Sequence, residues 1–262
     1  MIFLLEVNFV FIDTHSHLFK EYYENIDDIV KKCMDNNIKR IIVSGVDMRS
    51  NMEVLELVSK YDIVYGSLGF HPTELDDFCY DDLVWLENHI NDNKIVAIGE
   101  IGLDYHYDDT DKKKQLDVLK RQLEIAKEYN KPIIFHSRDS IGDTHNILKE
   151  YKLRGSIHCF SGSVEMAREF TKLGYMIGIG GVVTYKNSRV LKEVVKDIDL
   201  SYILLETDAP YLSPEPFRGA RNDSSNIEEI AKVIAELKGI SILDVSRVTT
   251  DNAEGLFDFF NK

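Results

Sequence analysis

The chain has 262 residues, of which 44% are apolar and 29% are charged, and its formal net charge is −14. This length suits one large α/β barrel or two small domains, and the composition excludes disordered, fibrous and low-complexity classes. The charge argues against the broad basic face that usually binds nucleic acids by counterion release, so any such role needs a local source of positive charge.

Eight short runs rich in β-branched and aromatic residues recur along the chain, each followed by a polar turn and a segment with helical periodicity. They lie at residues 9–12, 40–44, 63–68, 95–98, 132–135, 156–157, 175–179 and 202–205. These runs are almost continuously apolar, as expected of parallel strands covered on both faces. Residues 112–129 and 163–173 have the spacing of amphipathic crossover helices.

No linker interrupts this alternation, so we predict one α/β domain over residues 1–262, a TIM-like (β/α)8 barrel. A doubly wound open sheet is the competing topology. Such a sheet gathers its ligand at one switch point, whereas here unusual polar residues follow nearly every run.

Those polar residues lie where a barrel carries its chemistry. His15 and His17 end the first run, and because alternate side chains of an extended chain share a face, both can contact one ion. Glu100 follows the fourth run, where a carboxylate is costly unless it is paired or bound to a cation. The fifth, sixth and eighth runs are followed by His136, His158 and Asp208.

Mixed nitrogen and oxygen donors suit zinc or manganese, and magnesium less well. Any one of these residues alone is more often structural, but their convergence at one mouth favours a metal site. Cys159 is left out of the ligand set because alternation turns it away from the face of His158.

The three cysteines, Cys33, Cys79 and Cys159, form no CxxC pair, which indicates reduced thiols rather than a disulfide framework or a thiolate zinc site. The apolar start at residues 1–5 has no basic flank and is soon interrupted by polar residues, so we expect no secretory leader. We expect a cytoplasmic protein with no membrane association and no stable protein partner.

Several longer motifs occur in order along the chain: FIDTHSHL at 11–18, GFHP at 69–72, AIGEIGLDY at 97–105, PIIFHSRD at 132–139, HCFSG at 158–162, ETDAPYL at 206–212, Arg218-Gly219, Arg221-Asn222 and Asn252 near 256–257. With these motifs the chain resembles the TatD-type metal-dependent deoxyribonucleases of the amidohydrolase superfamily. The chain departs from the usual pattern at three places: Phe19, where Asp is common, Ser140, where Ala is common, and residues 223–224, where Glu-Pro is usual.

The resemblance implies a TIM-like barrel and a site for one to three divalent metals at its mouth. We expect two divalent ions per subunit, zinc, magnesium or manganese. Carried over by motif, one ion is held by His15, His17 and Asp208, the other by His136 and His158, and Glu100 is shared between them. The resemblance also implies that His71 contacts substrate or an additional metal.

We interpret the function as hydrolysis of DNA phosphodiesters by attack of a metal-activated water, with Asp208, Glu100 and His71 as the catalytic residues. Asp208 is suited to orient the water and accept its proton. The substrate is DNA ends or single-stranded DNA, since a compact metal mouth reaches flexible termini more easily than a continuous duplex.

Arg218 and Arg221 are candidate substrate clamps, because they follow the eighth run and guanidinium groups match phosphate geometry. Surface salt bridges are the alternative role for both. Tyr105, beside Glu100, can face a base.

The glycines at the end of the seventh run and directly after it are interpreted as a tight turn rather than a phosphate cradle. They are Gly178, Gly180 and Gly181.

Two other functions remain open. The same ligands can serve an amidohydrolase or an aminoacyl-ester deacylase, since an activated water also attacks a carbonyl carbon. A third and more distant hypothesis is a non-catalytic metal-binding protein, which predicts that at least one ligand residue has been replaced.

Overall fold

The computed structural model describes residues 9–259. The apolar start at 1–5 and both ends of the predicted domain lie outside the described residues. Eight parallel strands form one sheet in which neighbours follow the chain order. They are β1 Phe11–Ser16, β2 Ile38–Ser44, β3 Val64–Leu68, β4 Ile95–Asp104, β5 Ile133–Arg138, β6 Gly155–Ile157, β7 Met176–Ile179 and β8 Ile203–Leu205.

Helices follow the strands along the chain. They are α1 Ile26–Asp35, α2 Met48–Lys60, α3 Asp81–His89, α4 Lys112–Glu128, α5 Ile141–Tyr151, α6 Val164–Lys172, α7 Arg189–Asp197, α8 Ile227–Lys238 and α9 Ile242–Leu256. The two helices predicted from spacing are α4 and α6, and each begins where a side chain caps it, Asp111 for α4 and Ser163 for α6.

The two edges of the sheet meet and close it into a barrel. Ser16 and Ala209 form a parallel bridge between the end of β1 and the segment after β8. The N–H of His17 donates to the Ala209 carbonyl at 2.6 Å, and the N–H of Asp208 donates to the His15 carbonyl at 3.0 Å. Because the strand order never reverses, the doubly wound alternative is wrong and the predicted TIM-like barrel is confirmed.

Three strands run further at their carboxyl ends than the apolar runs that predicted them. β1 extends to Ser16, β4 to Asp104 and β5 to Arg138. The residues added to β1, and Glu100 and Asp104 of β4, are polar yet buried, because partners from neighbouring segments satisfy them. The Thr207 N–H donates to Asp13 at 2.9 Å, for example, and the Asp104 N–H donates to Gln115 at 3.0 Å.

The glycines near β7 serve close packing rather than a tight turn. Gly178 lies within β7, and a Cβ there would collide with the Glu206 carboxylate. Gly181 begins a short 3-10 helix, Gly181–Thr184, and a Cβ there would collide with the Leu212 carbonyl. The missing side chains therefore leave room for the residues that follow β8.

Within residues 9–259, no helix combines the length and apolar character needed to cross a membrane.

Candidate active site

A cleft of about 710 Å³ opens at the mouth of the barrel, where the carboxyl ends of the strands meet. Six of the residues predicted from the strand ends and motifs line it: His17, His71, Glu100, His136, His158 and Asp208. His15 lies behind them, fully buried, in contact with Glu100 and Asp208. The fold thus brings all the predicted metal ligands and His71 to one place.

Glu100 stands at the centre of the site, and its two oxygens face different groups. Oε2 lies 3.4 Å from Nε2 of His15 and 3.6 Å from Nε2 of His17. Oε1 lies 2.9 Å from Nδ1 of His136 and 2.9 Å from Nε2 of His158. One carboxylate therefore separates two pairs of imidazoles.

Asp208 completes the first group from the opposite side. Its Oδ1 lies 3.7 Å from Nε2 of His15 and 3.6 Å from Nε2 of His17, and the two imidazole nitrogens are 3.2 Å apart. The Asp208 side chain retains 14% of its exposure whereas that of His15 has none. Asp208 is therefore the carboxylate of this group that solvent reaches.

The hydrogen bond on the far side of each ring shows what that ring presents to the cleft. Nδ1 of His17 lies 3.0 Å from the Ser44 carbonyl, which can only accept, so the neutral ring carries its proton there and turns the lone pair of Nε2 inward. In His71 the proton is on the other ring nitrogen, Nε2. The Thr73 N–H donates to Nδ1 at 3.2 Å, so the neutral ring turns the Nε2 proton towards Glu100, 3.3 Å away.

Two buried carboxylates behind the histidines were not among the predicted site residues. Asp104 Oδ2 lies 3.1 Å from Nε2 of His136, and Glu206 Oε1 lies 3.6 Å from Nδ1 of His158. Both stand inside the motifs quoted above, so the signal was present in the sequence. Carboxylates in this position orient ligating imidazoles and raise their basicity.

The imidazoles of the site lower the pKa values of the two carboxylates, Glu100 and Asp208. Burial alone would raise the pKa of the Glu100 carboxyl, but the imidazoles of His158, His71 and His15 outweigh it and hold that pKa well below its ordinary value. Burial would likewise raise the pKa of Asp208, but the hydrogen bond from His17 and nearby imidazoles lower it. Both carboxylates therefore stay ionised at neutral pH.

The donor set fits divalent cations. Three groups of residues have ligand atoms that all lie within 4.8 Å of one another: His15, His158 and Asp208; His15, His17 and Glu100; His71, Glu100 and His136. Nδ1 of His158 is buried without a hydrogen-bond partner among residues 9–259. A dense cluster of imidazole nitrogens and ionised carboxylates in a buried cleft is the chemistry of a transition-metal site.

Three predicted substrate-binding residues do not reach the cleft. Arg218 is exposed and lies over the Tyr185 ring, 4.3 Å from its centroid, and Arg221 is also exposed; neither is among the described residues that line the cleft. The Tyr105 hydroxyl donates to Asp143 at 3.1 Å, outside the cleft. Because β4 continues to Asp104, alternation points Asp104 inward and Tyr105 outward.

Other side chains occupy the rim instead. Arg138 and Arg49 lie there, the latter paired with Glu21 at 2.6 Å, and Tyr211 and Tyr107 present exposed rings, 49% and 53% accessible. Cys159 also lines the cleft. The alternation argument that set this residue aside is wrong, because β6 ends at Ile157 and Cys159 follows it in a left-handed conformation, with φ of 43°.

Comparison with known proteins agrees with this picture. A family model described as TatD related DNase matches residues 12–258. YabD of Bacillus subtilis (strain 168), named an uncharacterized metal-dependent hydrolase, is 41% identical over 249 residues, which are 94% of this chain and 98% of the relative. YcfH of Escherichia coli K12, with the same description, is 34% identical over 254 residues, 94% of this chain and 95% of the relative.

A solved structure shows the same architecture. The crystal structure of YjjV, a TatD homolog from Escherichia coli K12, superposes with a TM-score of 0.90 at 32% identity, covering 95% of this chain and 98% of that one.

Proposed function

The chain belongs to the family of TatD-related DNases and is a metal-dependent hydrolase, and from this premise we propose that it cleaves phosphodiester bonds of DNA, acting as an exonuclease on ends or single strands. The observation that carries the proposal is the position of Glu100, whose two oxygens face two separate imidazole groups beneath an open cleft. Such an arrangement suits a pair of ions that share one carboxylate.

In the proposed site, His15, His17 and Asp208 would hold one ion, His136 and His158 would hold the other, and Glu100 would be shared between them. Zinc, manganese or magnesium, when bound, would supply a water of lowered pKa and stabilise negative charge on phosphate oxygens. Asp208, the accessible carboxylate of the first group, orients the attacking water and takes its proton.

His71 and Arg138 hold the substrate phosphate in this proposal. The neutral His71 ring presents an N–H to the cleft, which suits a hydrogen bond to a phosphate oxygen better than a bond to a metal. Arg138, at the rim, offers the guanidinium fork that Arg218 and Arg221 were expected to provide. Arg138, together with the bound ions, would supply the local positive charge that a chain of net charge −14 needs to bind an anion.

The proposal is tested by incubating end-labelled single-stranded and duplex DNA with the chelated protein and with the protein reloaded with each metal. We expect metal-dependent release of nucleotides from the labelled end. Glu100→Gln should lose metal and reduce hydrolysis by at least about a hundredfold. Glu128→Gln, an exposed change on α4, is the matched control and should behave as the wild type.

Amide and aminoacyl-ester substrates are assayed in parallel. Release of ammonia or an amino acid without release of nucleotides would replace the proposed reaction by carbonyl hydrolysis on the same ligands. Stoichiometric metal binding with no hydrolysis of any of these substrates would identify a non-catalytic metal-binding protein, although every predicted ligand position is intact in this chain.

A further inference from the structure

Three aromatic side chains form one continuous wall beside the proposed metal site. The rings of Phe19 and Tyr22 have centroids 6.4 Å apart, and those of Tyr22 and Tyr211 are 5.8 Å apart. All three residues line the cleft. The wall adjoins a proposed ligand directly, since the His17 ring lies 6.0 Å from that of Phe19 and 6.1 Å from that of Tyr211. We call Phe19, Tyr22 and Tyr211 the aromatic wall.

Tyr211 is held firmly although half of its surface is exposed. Its hydroxyl donates to the Tyr22 hydroxyl at 2.9 Å, its N–H donates to the Asp208 carbonyl at 2.9 Å, and its own carbonyl accepts from the Asn222 side chain at 2.8 Å. Both the ring and its backbone are thus fixed before any ligand arrives. A fixed, exposed ring loses little conformational entropy when a flat group stacks on it.

The base of the wall is apolar where the family resemblance leads one to expect a charge. Phe19 stands where Asp is common in the family, and it is 2% exposed. A carboxylate in this position would add negative charge beside Glu100 and Asp208 and repel a phosphate. Phe19 instead supports Tyr22 and adds no charge at the base of the wall. Glu21, which also lines the cleft, is paired with Arg49 at 2.6 Å.

We propose that the aromatic wall is a nucleobase subsite, on which an unpaired base stacks against Tyr211 while the phosphate of the same nucleotide lies at the proposed metal ligands. The inference rests on the proposed function and deepens it by assigning the side chains that bind the base of the substrate. A base within a duplex is stacked and paired on both sides, so it reaches such a platform only after it has been unpaired. The subsite thus selects frayed or single-stranded ends.

The test compares three variants on a labelled single strand and on a set of matched strands. Each matched strand carries a single abasic residue, placed at a different position near the cleaved end. Tyr211→Ala should raise KM for the intact strand about tenfold and leave kcat nearly unchanged, because stacking on an aromatic ring is lost. On the abasic strand that already lacks the stacked base, the same variant should cause no further rise. Tyr211→Phe keeps the ring and should stay within about twofold of the wild type.

Tyr80→Ala is the matched control, because Tyr80 is a 56% exposed tyrosine that does not line the cleft. Its KM should equal that of the wild type. An equal rise in KM for intact and all abasic strands with Tyr211→Ala would overturn the subsite, and so would a loss confined to kcat; in either case the proposed nuclease function stands.

A second measurement separates the subsite from catalysis. A strand that contains 2-aminopurine and uncleavable methylenephosphonate linkages is titrated with the metal-loaded protein. Quenching of its fluorescence by the wild type and by Tyr211→Phe, but not by Tyr211→Ala, supports stacking on the wall. Equal quenching by all three, or none by the wild type, overturns it. If the wild type quenches the strand yet releases no nucleotide from cleavable DNA, the proposed function fails and the base-binding subsite stands.

Discussion

At the scale of single residues, the imidazoles of the site differ in the proton that each presents to the cleft. The second hydrogen bond of a ring decides this, so residue type and spacing alone cannot. The sequence predicted the six proposed ligands because each lies shortly after an apolar run. It did not identify Asp104 and Glu206 as residues that face His136 and His158, because those approaches depend on how the strands are aligned in the folded barrel.

The role of Asp104 can be tested by replacing it with asparagine. Asp104→Asn keeps the shape of the side chain but removes the charge that fixes the Nε2 proton of His136. We expect metal affinity, measured by calorimetric titration of the chelated protein, to fall about ten- to a hundredfold. The exposed Asp108→Asn, in the following loop, should leave affinity unchanged. Equal affinities of Asp104→Asn and wild type would contradict a role in orienting His136.

The arginines offer a second comparison at this scale. Arg138 lines the cleft, whereas Arg221 is exposed and does not. Arg138→Ala should therefore raise KM for an oligonucleotide about tenfold, as expected for loss of a charge-assisted hydrogen bond of roughly 1.5–3 kcal/mol. Arg221→Ala should change KM by less than about twofold. A larger effect of Arg221→Ala would show that the loop after β8 reaches the substrate in solution.

At the scale of elements, the strands were located correctly but several were predicted too short. The predicted fourth strand ended at Ile98, whereas β4 continues through Glu100 to Asp104. A polar residue ordinarily marks the end of an apolar run, but here Gln115 of α4 and His136 of β5 hydrogen-bond to Asp104 and satisfy the buried end of the strand. Once β4 is extended, alternation places Asp104 inside and Tyr105 outside, which the shorter strand could not show.

The extension of β4 depends on Gly102. This residue pairs with His136 on β5 and has φ of +156°, and a Cβ there would collide with the His136 carbonyl. Gly102→Ala should lower the free energy of unfolding by about 1–3 kcal/mol and displace the His136 ring. Thermal unfolding should then begin several degrees lower, at about 2–4 °C per kcal/mol.

Gly142→Ala is the matched control for this substitution. A Cβ at Gly142 would have no described heavy atom within 4 Å, and the residue lies in α5. The change should leave stability unaltered or raise it by up to about 1 kcal/mol. If the Gly102→Ala protein is as stable as the wild type, β4 and β5 can move apart at this position without a loss of free energy of unfolding, and the prediction is wrong.

At the scale of the whole molecule, the net charge of −14 and the positive charge of the proposed ions and Arg138 at the mouth act in opposite directions. A broad basic face would lose about 10³–10⁵ in affinity between 50 and 200 mM salt. A mouth that holds only one or two phosphates releases few counterions, and added salt also screens the repulsion from the rest of the surface. KM for a single strand, measured across this range, should therefore rise by less than about tenfold. A steep rise would indicate an extended DNA-binding face.

The junction between β1 and the segment after β8 makes the proposed site depend on the last strand of the barrel. His15 and His17 are synthesised before the other seven strands, whereas Asp208 follows β8, and the backbone of one segment hydrogen-bonds to that of the other. A nascent chain that lacks β8 has neither the closing bridge nor the accessible carboxylate of the first ligand group. A nascent chain therefore cannot assemble the proposed site until β8 and the segment after it have been made.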